Sequence, residues 1–201
     1  MIKAIIFDFG GPIVEWASGM FEVYKKYEES HKLEDGALHD ILQKYVHEAM
    51  TGKYSSLTHF LEEVRPPIAL SVNELNKIFD ESNEAIYIRP EMVEYIVELK
   101  KTYKIALLSN FTVGLQSFLQ DVFRIYHLFD VIVSSYDVKM RKPDPEIYKY
   151  TLDQLGVKAE EAVFIDDLIE NVEAAEKLGI KSIIFKDSKQ CMEELDLILK
   201  S

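Results

Sequence analysis

The sequence predicts a doubly wound α/β fold, a parallel sheet with helices on both faces. Five short apolar runs of strand type recur along the chain, and helical periodicity fills the gaps between the last four. Turn and capping signals fall at the junctions. Strand, helix and strand repeated in this way imply right-handed crossovers in a parallel sheet.

The first run, KAIIFDF at 3–9, is apolar at nearly every position, as expected of a strand buried on both faces. It ends in Asp8, with Gly10 and Gly11 close behind. The stretch 16–87 is different in kind, with helical stripes and no convincing strand. Ile41, Leu42, Tyr45, Val46 and Ala49 form one stripe. Leu57, Phe60, Leu61 and Val64 form a second, ended by Pro66-Pro67. Leu75, Ile78, Phe79 and Ser82 form a third, opened by a capping box at Ser71 and Glu74. About seventy residues are too many for a crossover. The reading is a helical subdomain at 16–87 inserted into an α/β core of residues 1–15 and 88–201, over the sheet's C-terminal edge.

Beyond it, Met92, Ile96, Leu99 and Tyr103 make a helical stripe before the strand KIALLSN at 104–110. Leu115, Phe118, Leu119 and Val122, at i, i+3, i+4 and i+7, predict the next helix, and FDVIVSS at 129–135 the next strand. Asp144-Pro145 reads as an N-cap with a first-turn proline, and Gly156 and Gly179 sit where helices should end. The last two strands are AVFIDD at 162–167 and KSIIF at 181–185.

The chain has 201 residues, 48% of them hydrophobic, enough to bury a sizeable core. Its longest apolar runs fall far short of the roughly 18 residues that span a bilayer, and no basic segment precedes a long apolar one at the N-terminus, so a soluble, cytoplasmic protein without a membrane partner is expected. The lone Cys191 cannot form an internal disulfide, which suits a reducing compartment. A net charge of −12, scattered along helical stretches, argues against nucleic acid as a partner and means that an anionic ligand needs a local cation. His31, His39, His47, His59 and His127 show no metal-ligand spacing and read as surface or packing residues.

Polar residues recur at the C-terminal ends of the expected strands: Asp8, then Ser109-Asn110, then Asp166-Asp167. Lys142, in MRKPDPEIY, precedes a capped helix beyond the third strand. Strand ends in such a sheet converge on one crevice, so these groups should share a site.

In this order, and with the wording KPDPEIY and FIDDLIENVEAAEKLG, the set resembles the haloacid dehalogenase-like hydrolase superfamily. The resemblance implies a Rossmann-like core with a helical cap after the first strand, and a small phosphorylated metabolite as substrate of a monomer or homodimer. It makes Asp8 a nucleophile that attacks phosphorus and forms an aspartyl-phosphate. Magnesium would be held by Asp8, the backbone carbonyl of Gly10 and the Asp166-Asp167 pair, with Asp167 as the direct ligand and Asp166 bound directly or through water. Asn171, four residues after Asp167 and so expected on the same helical face, would orient a metal-bound water. Ser109 and Asn110 would donate to the phosphoryl oxygens, Lys142 would neutralise phosphoryl group and nucleophile, and N–H groups near Gly10-Gly11 would approach the phosphate.

One position departs from the family. Its phosphatases carry a second aspartate two residues after the nucleophile, as general acid and base, where this chain has Gly10. Such catalysis is worth about 10² to 10⁴ in rate. Three readings follow: a phosphatase for substrates with a good leaving group, such as an anomeric sugar phosphate or an acyl phosphate; a metal-independent 2-haloacid dehalogenase; or a weakly active or inactive phospho-ligand-binding protein. The chain has no arginine before Arg65 to hold a halide, and keeps Asp166-Asp167, which weighs against the second. Glu15 would replace the acid only if its loop turned it inward; otherwise it is a solvated charge or salt-bridge partner. Phe21, Tyr24, Tyr27 and Tyr45 are expected in the cap core, with one or two lining a substrate cleft, and Trp16 lies near where the cap begins.

Overall fold

The computed structural model describes residues 1–16 and 18–200, leaving aside the side chains at 16, 18, 19 and 83. The Trp16 side chain, expected near the start of the cap, thus lies outside the described residues.

β1 (Ala4–Phe7) is followed by a tight turn and β2 (Val14–Trp16). Four helices come next: α1 (Ser18–His31), α2 (Ala37–Ala49), α3 (Leu57–Val64) and α4 (Val72–Glu84). β3 (Ile86–Ile88) returns the chain to α5 (Pro90–Leu99) and β4 (Lys104–Ser109). Then follow α6 (Leu115–Ser117), β5 (Val131–Ser134), α7 (Ser135–Val138), α8 (Pro145–Leu155), β6 (Ala162–Asp166), α9 (Ile169–Lys177), β7 (Lys181–Ile184) and α10 (Ser188–Lys200).

The main sheet runs β5-β4-β1-β6-β7, parallel throughout. From central β1 the chain builds outward through β4 and β5, then returns to the other side for β6 and β7. This reversal opens a crevice at the carboxyl ends of β1, β4 and β6, where ligands bind in open α/β sheets. Side chains alternate between the faces of the sheet. Ile5, Phe7, Ile105, Leu107, Val163 and Ile165 pack with Met92, Ile96 and Leu99 of α5 and Leu195 of α10. Ala4, Ile6, Ala106, Leu108 and Phe164 pack on the opposite face with Ile147, Tyr148 and Leu152 of α8 and Ala175 of α9.

The four inserted helices enclose a separate core of Tyr24, Leu38, Leu42, Tyr45, Tyr54, Leu57, Phe60, Leu61, Leu75 and Ile78. The Ser71 hydroxyl accepts from Glu74 N at 3.2 Å while the Glu74 carboxylate accepts from Ser71 N at 2.8 Å, closing the capping box that starts α4. Among the described residues no helix is long and apolar enough to cross a membrane.

Two local expectations are corrected. The sequence of 16–87 shows helical stripes and no convincing strand, yet β2 and β3 pair antiparallel, Val14 with Ile88 and Trp16 with Ile86, so that both connections to the helices pass through one ribbon. Three residues are too few for an alternating pattern to show. The stripe from Leu115 to Val122 predicts one regular helix. α6 instead widens into a π-turn over Phe118–Val122, so Leu115 and Leu119 are buried while Val122 is 59% exposed.

Phe60 is fully buried between Tyr45 and Tyr54, with ring centroids 5.6 and 5.2 Å away. Phe60→Ala should destabilise the helical unit by about 3–5 kcal/mol. A urea titration should show a lowered midpoint for tyrosine signals from this unit, and an unchanged midpoint would refute its having a core of its own.

Candidate active site

Asp8 stands one residue past β1, where its N–H donates to Ile165 O at 2.8 Å and so carries the ladder to β6 one step further. Its Oδ1 accepts the Phe9 N–H at 2.7 Å. The chain then folds back: Val14 N donates to Phe9 O at 3.0 Å and Gly11 N to Val14 O at 2.8 Å. Phe9 anchors this turn, edge-on to Phe111, Phe118 and Phe123 with centroids 5.9, 6.2 and 6.0 Å away. Gly11 has φ +83°, and a Cβ there would lie 2.7 Å from Asp167 Cγ, so both the backbone conformation and the close approach require glycine. Arg89 binds the turn from the far side, donating from Nε to Gly11 O at 2.8 Å and pairing with Glu15 at 3.4 Å.

Lys142 is buried with its Nζ between two carboxylates, 2.7 Å from Asp8 Oδ1 and 2.6 Å from Asp166 Oδ2. Its backbone is clamped by Asn110, whose Nδ2 donates to Lys142 O and whose Oδ1 accepts Lys142 N, both at 2.8 Å. Asp166 is fully enclosed. Its Oδ1 accepts Leu168 N at 2.8 Å, its Oδ2 accepts Lys142, and Asn171 Nδ2 lies 3.0 Å from both oxygens. The backbone at Asn171 is held by the Tyr148 hydroxyl, which donates to the Asn171 main-chain carbonyl at 3.0 Å.

Charge is finely balanced here. Burial pushes the Asp8 carboxyl up to about 7; the Lys142 ammonium opposes that rise and the Asp166 charge adds to it. Burial works against the Lys142 charge, but Asp8 and Asp166 together outweigh it and hold the ammonium above its ordinary range. Asp167 is solvent-accessible on one side and against protein on the other; that partial burial, then the Asp166 charge, raises its carboxyl. Asp8, Asp166 and Asp167 each present an oxygen within 4.8 Å of the others, a hard-oxygen set of the kind that holds magnesium.

A cavity of about 480 Å³ opens above Asp8 between the sheet's edge and helices α1, α2 and α4. Asp8, Gly10, Ser109, Asn110, Lys142, Asp167 and Asn171 all line it. Two expectations meet a different geometry. Asn171 bonds Asp166 and not a group beside Asp167, because α9 starts only at Ile169 and helical spacing does not reach back to Asp167. The Gly11 N–H is committed to Val14 O within the turn and is no phosphate donor. Glu15 is a salt-bridge partner, as expected for a loop that does not turn it inward: it pairs with Arg89 and does not line the cavity.

Arg141 and His47, neither of them at a strand end, also line the cavity, and Arg141 Nη1 lies 3.3 Å from His47 Nε2. A signal was present: Gln43, Val46, His47 and Met50 repeat at i, i+3, i+4 and i+7, a second stripe on α2 beside the buried one. Arg141 adjoins Lys142 in the quoted MRKPDPEIY.

Because the unfolded Asp8 carboxyl titrates near ~4 and the folded one near about 7, the folded state binds the extra proton between them. Stability from this group therefore falls as pH rises through that window. In chelator, Asp8→Asn should melt higher than wild type at pH 8, by a margin that shrinks toward pH 5. A variant less stable than wild type at pH 8 would contradict this balance.

A family model described as haloacid dehalogenase-like hydrolase matches residues 2–179. The bifunctional epoxide hydrolase 2 of Sus scrofa is 28% identical over 221 residues, covering 98% of this chain, which spans only 39% of that relative's length. The D-ribitol-5-phosphate phosphatase of Bacteroides thetaiotaomicron is 27% identical over 218 residues, with both chains covered in full. The sesquiterpene phosphatase astK of Aspergillus oryzae is 27% identical over 198 residues, 98% of this chain and 96% of its own. Among solved structures, a haloacid dehalogenase family enzyme of Bacteroides thetaiotaomicron in complex with magnesium and inorganic phosphate superposes with TM-score 0.71 at 22% identity, covering 91% of this chain and 93% of that one. A 2-haloacid dehalogenase of Pseudomonas syringae pv. Tomato superposes with TM-score 0.62 at 20% identity, covering 90% and 85%. At these identities the shared property is the fold. With the family's model extending over nearly the whole sequence, the chain belongs to the haloacid dehalogenase-like hydrolases.

Proposed function

We propose that this hydrolase is a magnesium-dependent phosphatase that removes phosphate from a small phosphorylated metabolite through an aspartyl-phosphate on Asp8. The observation that carries the reading is the Lys142 ammonium shared by Asp8 and Asp166, with the Asp167 carboxylate open beside them. The two phosphatases similar to this chain over nearly its whole length support the reaction class, and the fold neighbour crystallised with magnesium and phosphate supports the cofactor.

Asp8 is the nucleophile: Phe9 N–H and Lys142 both hold Oδ1, which fixes the carboxylate in the cavity floor. Lys142 opposes the rise that burial imposes on that carboxyl and offsets the charge of an incoming phosphoryl group. Asn110 has two amide N–H bonds; one is held by Lys142 O, which leaves the other, with the Ser109 hydroxyl, for the phosphoryl oxygens. Asp8, Asp167 and the Gly10 carbonyl would hold magnesium, whose charge, when bound, lowers the repulsion between carboxylate and phosphoryl group. Asp166, saturated by Lys142, Asn171 and Leu168 N, positions Lys142 and is not a direct ligand in this reading. The dehalogenase alternative fits less well, because a haloacid brings its own carboxylate to a place where protein carboxylates already crowd one lysine.

Phosphate release from a panel of phosphorylated metabolites should require magnesium, stop in chelator and fall to background in Asp8→Asn. Lys142→Met should lower kcat by about 10²–10³-fold. Turnover that survived Asp8→Asn would overturn the assignment.

A further inference from the structure

The cavity wall opposite Asp8 is built by the inserted helices, and it is largely apolar. Met20, Phe21, Leu42, Val46, Met50 and Phe79 face the space above the nucleophile. The polar side chains on that wall are mostly committed. The Tyr24 hydroxyl donates to Ser82 Oγ at 3.4 Å, and Ser82 donates to Phe79 O at 2.7 Å. His47 Nε2 faces Arg141 Nη1 at 3.3 Å, and Gln43 is the remaining polar group. A sugar would bury several hydroxyls against this wall with few partners to receive them, which is unfavourable for each group left unpaired.

The leaving group is constrained from the other side. Gly10 has no side chain to donate a proton. Arginine carries only donors, so at its contact with Arg141 the His47 Nε2 is the acceptor, and the proton of a neutral His47 sits on Nδ1. Tyr24 is held by Ser82, and Lys142 is locked between Asp8 and Asp166. With glycine at position 10, two residues after Asp8, the site favours a leaving oxygen that is stable as an anion without protonation.

We infer that the substrate is an acyl phosphate with an apolar body, the mixed anhydride of phosphate and a medium-chain or aromatic carboxylic acid. This rests on the phosphatase reading and deepens it. In the first step an Asp8 oxygen bonds to phosphorus and the phosphorus–oxygen bond to the acyl group breaks, its electron pair leaving on a carboxylate. Carboxylic acids titrate near about 4, so that anion needs no proton at neutral pH. In the second step water attacks the aspartyl-phosphate and the bond between phosphorus and Asp8 breaks. Asp8 is regenerated as a carboxylate and the water's protons go to phosphate and solvent. The 480 Å³ cavity suits such a molecule, since small-ligand sites run from about 300 to 1,000 Å³.

The test compares initial rates, corrected for spontaneous hydrolysis, on acetyl phosphate, hexanoyl phosphate, benzoyl phosphate and glucose 1-phosphate. Burying a methylene is worth about a fourfold gain, so hexanoyl phosphate should exceed acetyl phosphate in kcat/KM on the order of a hundredfold. Glucose 1-phosphate should be the poorest of the four. Met50→Gln and Val46→Thr, near-isosteric changes on the apolar wall, should each lower the hexanoyl-to-acetyl ratio. Equal rates on acetyl and hexanoyl phosphate, a ratio untouched by both variants, or a preference for glucose 1-phosphate would overturn the inference while leaving the phosphatase reading in place. Release of phosphate from none of the four would overturn both.

Discussion

The site depends on one buried ammonium between two carboxylates. Lys142 reaches Asp8 at 2.7 Å and Asp166 at 2.6 Å, and is itself buried. Burying charge is costly, and such an arrangement persists only where further hydrogen bonds satisfy what the ion pair leaves over. The structure supplies them: Leu168 N and Asn171 on Asp166, Phe9 N on Asp8, and the Asn110 clamp on the Lys142 backbone. Asp166 completes its valences inside the protein and so serves as a fixed counter-charge. Asp8 does not, and Asp167 beside it stays open to solvent. The two adjacent aspartates thus do different work because one ends a buried strand and the other begins a loop.

The fold makes this possible by topology. β1 and β6 are neighbours, so Asp8 and Asp166 end side by side although they lie 158 positions apart in the sequence. The chain reverses its direction of building at β1, which leaves the crevice that Lys142 enters from beyond β5. The inserted helices stand over that crevice on a two-stranded ribbon, and Arg89 ties the ribbon to the Gly11 carbonyl. The core supplies charge and hydrogen-bond donors, while the insert supplies an apolar roof.

Much of this was legible in the sequence. Asp8, Lys142 and the Asp166-Asp167 pair could be placed together because strand ends in a parallel sheet converge, and the Ser71–Glu74 capping box because its spacing is local. What stayed hidden depends on tertiary geometry. Asn171 faces Asp166 because the helix begins two residues after Asp167, a boundary that periodicity does not fix. The Gly11 amide closes a turn whose hydrogen bonds no residue type announces. The ribbon strands are too short to alternate, and the π-turn at Phe118 interrupts a stripe that reads as regular. His47 and Arg141 meet only because the insert folds back over the core.

The most direct test is to quench the protein in acid during turnover of a phosphorylated substrate with magnesium, and to map any phosphoryl group by peptide mass spectrometry. The account predicts a hydroxylamine-labile phosphoryl group on the peptide carrying Asp8, and on no other carboxylate of the site. A phosphoryl group on Asp167 or on His47, or turnover under single-turnover conditions with no covalent phosphoprotein at any time, would contradict it.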